Sequence, residues 1–272
     1  MIANVNGIEI HYQVYGRGEP LVLIEGLGYS SWMWEFQLPL QDKLKLIIYD
    51  NRGVGMSSKP EIPYTMNDFV NDLSGLVELI GLDSFFLLGV SMGGMVAQEY
   101  AFRHGERLKG IILSSTNFGV RSIQPSSDVL KILASQPSES SLYERMMPAF
   151  SNETINNRKD LVEKIIKLRK QKNHKVMQMQ QINTVLNFDS LDRLASLKMP
   201  VLILTGEDDQ VVPPRNSSRM HDILINSRMV KFRNAGHLVN MEKAEEYNHE
   251  VLNFIREVSS GRFTPKKDQV VV

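Results

Sequence analysis

The chain contains no cysteine. Disulfides, thiolate metal sites and a cysteine nucleophile are therefore excluded, and a reducing compartment is permitted without being required. An excess of charge is lacking too: Lys plus Arg and Asp plus Glu each total 31, a formal net charge of zero. Without a basic surplus to pull on phosphates, neither a nucleic acid nor an anionic membrane is expected as a partner. No apolar run approaches the roughly 20 residues that cross a bilayer. Residues 1–6 have no basic segment leading into an apolar core, as a signal peptide would. A cytoplasmic location is the expectation. No two of the six histidines stand four apart, so a metal site is not expected. Gly26-x-Gly28 and Gly53-x-Gly55 each follow an apolar run, but neither reaches the third glycine of a dinucleotide loop, and no phosphate-binding G-x-x-x-x-G-K-[ST] occurs. No cofactor is expected.

What is present is an ordinary globular composition, 42% hydrophobic and 23% charged over 272 residues. That length suits one α/β domain with an insertion, or two small domains. Residues 2–15 alternate around Asn6-Gly7, a hairpin signal. Leu21–Ile24, Lys45–Tyr49, Phe85–Val90, Ile111–Leu113, Pro200–Thr205 and Met229–Phe232 are short apolar runs, as strands covered on both faces require. A helical stripe runs from Tyr64 toward Ile80, through Met66, Phe69, Val70, Leu73, Leu76, Val77 and Ile80. Further helices are expected over Met95–Arg103, Asn216–Leu224 and Met241–Val258. This alternation predicts a mostly parallel sheet with helices on both faces. Residues 117–197 break the rhythm: they offer helical patterns at Val129–Ala134, Asp160–Lys170 and Lys175–Leu186, and no buried strand. The expected division is a core of 1–116 and 198–258, a helical cap of 117–197, and a loosely ordered tail of 259–272.

Gly89-Val90-Ser91-Met92-Gly93 matches the G-x-S-x-G nucleophile elbow and has the strand before and helix after that the motif needs. Ser91 must turn sharply, and neighbours two residues away on either side must be small to let it. The helix that follows aims free N–H groups and a positive dipole end at the reacting atoms. A serine hydroxyl needs a base, and the base needs a third group to hold its tautomer. His237, in the loop between the last strand and the last helix, lies where parallel sheets assemble sites. His11, His104, His174, His221 and His249 fall within elements or the insertion and read as surface or packing residues. The acid should come from Glu207-Asp208-Asp209; Asp209 is the first choice and Asp208 the second. The order Ser91, Asp209, His237 is that of the α/β-hydrolases.

With these motifs the chain resembles the α/β-hydrolase superfamily, specifically its small capped serine esterases, over residues 8–258. Asp50-Asn51-Arg52-Gly53-Val54-Gly55-Met56-Ser57 is similar to the family's structural D-x-R-G-x-G-x-S loop. The resemblance implies an eight-stranded sheet with a helical cap between strands six and seven. It also implies an oxyanion hole formed by the backbone N–H groups of Leu27 and Met92. Many relatives carry His-Gly where this chain has Glu25-Gly26; Glu25 either ties the loop down through backbone N–H groups or alters substrate choice.

The expected activity is hydrolysis of a small carboxylic ester, or a lactone, through an acyl-enzyme. Serine at the elbow argues against dehalogenases and epoxide hydrolases, which carry aspartate there. A proline iminopeptidase-like peptidase stays open through Glu144, Glu153 and Glu163, although Met92 replaces that group's usual tryptophan. Cofactor-free haloperoxidase or perhydrolase chemistry uses the same three residues. A hydrolase-fold receptor or inactive scaffold is the reading from another class. Met92, Met146, Met147, Met177 and Met179 suit a pliable apolar pocket, but Met179, Ile182 and Leu186 equally make a stripe that packs the cap onto the body. Trp32 and Trp34 either wall the pocket or fill core. Substrate and oligomeric state are not fixed by the sequence.

Overall fold

A computed structural model describes residues 1–134, 139–172, 175–265 and 270–272. The alternating segment folds as a hairpin, β1 (Ile2–Val5) and β2 (Ile8–Tyr15), with Asn6 and Gly7 both at positive φ in the turn. Then come β3 (Glu19–Ile24), β4 (Leu44–Tyr49), β5 (Phe85–Val90), β6 (Leu108–Ser114), β7 (Val201–Gly206) and β8 (Ser227–Phe232). Their order across the sheet is β1-β2-β4-β3-β5-β6-β7-β8, with β2 antiparallel to both neighbours and β3 to β8 parallel. All eight expected strands are present. Val270–Val271 (β9) adds a ninth, parallel to Val230 and Lys231 of β8. The tail was expected to be loosely ordered, but two β-branched residues in it find an open sheet edge with unpaired backbone groups.

The apolar runs are continuous because both faces of the sheet are covered. In β3, Val22 and Ile24 face one hydrophobic cluster while Leu21 and Leu23 face the other, all fully buried. The first cluster is closed by α1 (Met66–Leu79) and α2 (Met92–His104). The second is closed by a 3₁₀ segment, Ser31–Asp42, and by the later helices. Helix α1 starts where Thr65 and Asp68 form a reciprocal capping box, which cuts the stripe back from Tyr64.

The insertion between β6 and β7 carries α3 (Ser127–Ala134), α4 (Glu139–Met146), α5 (Asn152–Asn157), α6 (Lys159–Lys172) and α7 (Lys175–Leu186). Helices α4 and α5 were not expected; each is eight residues or fewer and gives little room for a periodic pattern. After β7 come α8 (Arg215–Ile223) and, beyond β8, a short α9 (Val239–Glu242) and α10 (Ala244–Ser259). No helix among the described residues is long and apolar enough to cross a membrane.

Candidate active site

Strand β5 ends at Val90, and Ser91 turns the chain directly into α2 at φ 55° and ψ −118°. Positive φ is uncommon outside glycine and persists only where the surroundings hold it. Here they do. The Ser91 N–H donates to Ser114 O at 2.9 Å, and Ser91 O accepts from Gly94 N–H (2.9 Å) and from Thr116 Oγ1 (2.7 Å). A Cβ on Gly89 would overlap the Gly93 carbonyl, and one on Gly93 would overlap the carbonyl oxygen of Ile24. The two glycines of the motif are thus required by close backbone approach.

The other two residues meet at the same edge of the sheet. After β7, Asp209 is 3% exposed, and its Oδ1 accepts from the N–H groups of Val211 (2.9 Å) and Val212 (2.8 Å). Its Oδ2 lies 2.9 Å from Nδ1 of His237, in the loop after β8. Of its two acidic neighbours, Glu207 is exposed and Asp208 half-buried. Along the acid loop, Glu207 N–H bonds Phe232 O and Asp208 N–H bonds Ala235 O, both at 2.9 Å. These bonds lock the acid loop onto the histidine loop. With Nδ1 facing a carboxylate, the histidine takes the tautomer that leaves Nε2 free to accept a proton.

Beyond β3, the Glu25–Gly28 loop lies against the elbow; a Cβ on Gly26 would sit 3.4 Å from Ser91 Cβ. Leu27 is half-buried there. Met92 opens α2, so its N–H is one of the first-turn amides with no partner inside the helix. The Leu27–Gly28 peptide is gripped from the insertion on both sides. Gly28 N–H donates to Gln181 Oε1 of α7 at 2.8 Å, and Leu27 O accepts from Arg169 Nη2 of α6 at 3.4 Å. Gln181 also donates from Nε2 to Arg52 O at 3.1 Å.

Glu25 is fully buried, and its Oε1 accepts the Asn51 N–H at 2.6 Å while Oε2 has no partner among the described residues. Burial, and then the Asp50 charge, push its carboxyl well above the usual glutamate range. Its protonated form is favoured by these surroundings, and its Oε1 bond ties the loop after β3 to the loop after β4. That second loop is held from within and from its neighbours: Asp50 accepts from Met56 N–H (2.8 Å) and from Ser31 N–H of the 3₁₀ segment (2.7 Å), and Arg52 forks onto Asp72 of α1 with two 2.7 Å bonds.

Sequence reasoning missed Gln181, Glu242 and Arg169. Glu242 is buried and accepts from Gly236 N–H and Ser151 N–H, each at 2.8 Å, joining the histidine loop to the insertion. Burial raises its pKa, although those two N–H groups act the other way. The stripe of Met179, Ile182 and Leu186 does not pack the insertion down; Met179 and Leu186 are more than half exposed. The buried face of α7 is Met177, Gln181 and Thr184, and Thr184 Oγ1 donates to Tyr64 O at 2.9 Å. Trp34 is fully buried in the core, whereas Trp32 is half-buried, its ring 5.1 Å from that of Tyr29 and tilted against it. Among the other histidines, His221 bonds Ser227 (2.8 Å), His249 bonds Asn253 (2.7 Å), and the His104 ring lies tilted 4.9 Å from that of Tyr100. His11 lies 3.2 Å from Asp50, and His174 is outside the described residues. Among the described residues, no group of three or more histidines and acids is arranged to hold a metal ion.

The sequence model of the alpha/beta hydrolase fold family matches residues 19–244. The chain belongs to that family. It is 24% identical over 263 residues to a putative carbamate hydrolase, RutD, of Azorhizobium caulinodans, covering 92% of this chain and 96% of that one. It is 24% identical to 3-oxoadipate enol-lactonase 2 of Acinetobacter baylyi, covering 90% and 92%. A thermophilic esterase from Thermogutta terrifontis, solved with malate bound, superposes with a TM-score of 0.82 at 28% identity, covering 95% and 98%. These similarities support a hydrolase.

Proposed function

We propose that the protein is a serine hydrolase that cleaves small carboxylic esters or lactones. The observation that carries the reading is the 2.9 Å contact between His237 Nδ1 and Asp209 Oδ2 at the same sheet edge as the positive-φ Ser91. Ser91 attacks the carbonyl carbon as His237 Nε2 takes its proton, and Asp209 orients the imidazole and supports the imidazolium. The N–H groups of Leu27 and Met92 bind the tetrahedral oxyanion; each such donor is worth on the order of 3 kcal/mol in the barrier. His237 then protonates the leaving alkoxide, and water repeats the cycle on the acyl-enzyme. The esterase neighbour and the enol-lactonase relative lend this reading support. The peptidase alternative needs acids to hold a substrate ammonium, and Glu144, Glu153 and Glu163 all face solvent.

Hydrolysis of a p-nitrophenyl ester series from acetate to octanoate, wild type beside Ser91→Ala, is the test. Turnover that the variant loses by a factor on the order of 10⁴ or more is expected. Equal, feeble rates in both proteins would sink the proposal and turn attention to a binding role.

A further inference from the structure

The proposed oxyanion donor Leu27 is flanked by Gly26 and Gly28, the residue type with the most backbone freedom. Gly28 stands third in a turn closed by Tyr29 N–H on Gly26 O at 3.1 Å, and it has φ 70°, the positive value that a type II turn needs at that place. A donor carried on such a turn has to be held from outside it, and the insertion supplies the holds. Gly28 N–H donates to Gln181 Oε1 of α7 at 2.8 Å, and Leu27 O lies 3.4 Å from Arg169 Nη2 of α6. Gln181 is fully buried, and its amide is fixed at the other end as well, where Nε2 donates to Arg52 O at 3.1 Å. Arg52 is in turn forked onto Asp72 of α1, so the hold on Gly28 leads back to a helix of the core.

An oxyanion hole works by having its donors in place before charge develops. The Met92 N–H is placed by α2, whose first turn contains it. The Leu27 N–H is carried on a glycine-flanked turn instead, and a displacement of about 1 Å at such a group costs up to roughly a hundredfold in rate. Moving the turn away from α7 would also strand the buried Gly28 N–H, so the bond to Gln181 opposes that movement. We infer that Gln181 is a positioning residue for the oxyanion hole: by accepting the Gly28 N–H it immobilises the turn that carries the Leu27 N–H, and α7 thereby completes the hole from outside the core. The inference rests on the hydrolase reading of the site.

Hexyl trifluoromethyl ketone probes the hole directly. Ser91 Oγ bonds its carbonyl carbon, the Ser91 proton passes to His237 Nε2, and the carbonyl oxygen becomes the anion that the Leu27 and Met92 N–H groups hold. The alcohol made by reducing this ketone has the same chain and no oxyanion, so it reports the pocket alone. Gln181→Met, which keeps the length of the side chain and loses its amide, should lower kcat on a p-nitrophenyl ester by about ten- to hundredfold, with KM within about twofold of wild type. Inhibition by the ketone should weaken by the same factor as kcat/KM falls, while inhibition by the alcohol stays unchanged. Gln181→Glu, which keeps an acceptor for the Gly28 N–H, should recover part of both losses. Thr184→Val breaks the bond from the same face of α7 to Tyr64 O and should leave kcat and ketone inhibition within about twofold of wild type. Arg169→Met frees the other end of the Leu27–Gly28 peptide and is the second variant should Gln181→Met fail to fold, with the same pattern expected. Unchanged kcat and ketone inhibition in the folded variants, a matching loss for the alcohol, or an equal loss in Thr184→Val overturns the positioning role and leaves hydrolysis standing. A wild type that neither cleaves the ester nor takes up the ketone sinks the hydrolase reading, and the role of Gln181 with it.

Discussion

Glu25 is a buried carboxyl whose protonation state the structure predicts, and Glu25→Gln tests it. The folded protein holds this acid well above its ordinary value of 4.5, by burial and then by the Asp50 charge, whereas the unfolded chain ionises it near 4.5. Between those two values the folded state carries one more proton than the unfolded state, so raising the pH favours unfolding. The stabilising share of this group is fully present below the unfolded value and is lost as pH climbs toward the folded one. One proton amounts to about 1.4 kcal/mol per pH unit across that window. Glutamine mimics the neutral acid: its carbonyl can accept the Asn51 N–H bond, and it cannot ionise in either state. The difference in unfolding free energy between Glu25→Gln and wild type should therefore move in the variant's favour as pH rises from about 5, with up to that slope. Titrating groups that do not interact with Glu25 cancel in the subtraction. Urea denaturation at half-unit steps from pH 5 to 8 measures it. Glu25→Ala controls for the bond itself: it leaves a buried N–H without an acceptor and should cost roughly 1–3 kcal/mol at all these pH values. A difference that runs the other way, wild type gaining on Glu25→Gln as pH rises, would show an ionised carboxylate and refute the reasoning.

Asp209→Asn should lower kcat on a p-nitrophenyl ester by on the order of 10³ to 10⁴, since the amide favours the wrong imidazole tautomer. Asp208→Asn should leave kcat close to wild type, and the reverse outcome would reassign the acid. Gln181→Leu strands the Gly28 N–H and the Arg52 carbonyl, so urea denaturation should show a loss of roughly 2 kcal/mol or more. It should also reduce kcat more than it raises KM, because the Leu27–Gly28 peptide loses one of its two holds. An unchanged kcat in a destabilised protein would make Gln181 a packing residue alone.

The frame of this fold was legible because its strands are doubly covered. An apolar run such as Leu21–Ile24 has no other place to go, and Gly89-x-Ser91-x-Gly93 announces an elbow whose glycines the backbone then requires. Asp209 was legible only by its position in the loop. What singles it out from Asp208 is its burial and its 2.9 Å contact with His237, a long-range pairing that three adjacent acids in a sequence do not reveal. The insertion was the least legible part. Its short helices carry little periodicity, and the hydrophobic stripe of α7 pointed to Met179 and Leu186, which are exposed.

That miss has one physical cause. The site is built from loops that leave the sheet at its carboxyl edge, where several backbone N–H groups meet no strand or helix. A buried N–H needs an acceptor. Glu25 supplies one for Asn51, Gln181 for Gly28, and Glu242 for Gly236 and Ser151. Three buried polar side chains, each from a different element, thus hold the elbow's neighbour, the histidine loop and the insertion in register. Hydrophobicity patterns count such residues as surface. Glu25 stood out only because it occupies a position where relatives carry histidine, while Gln181 and Glu242 sit within helices and gave no such signal. A buried face of mixed character, as on α7 with Met177, Gln181 and Thr184, is what a helix looks like when it packs against loops instead of against a sheet.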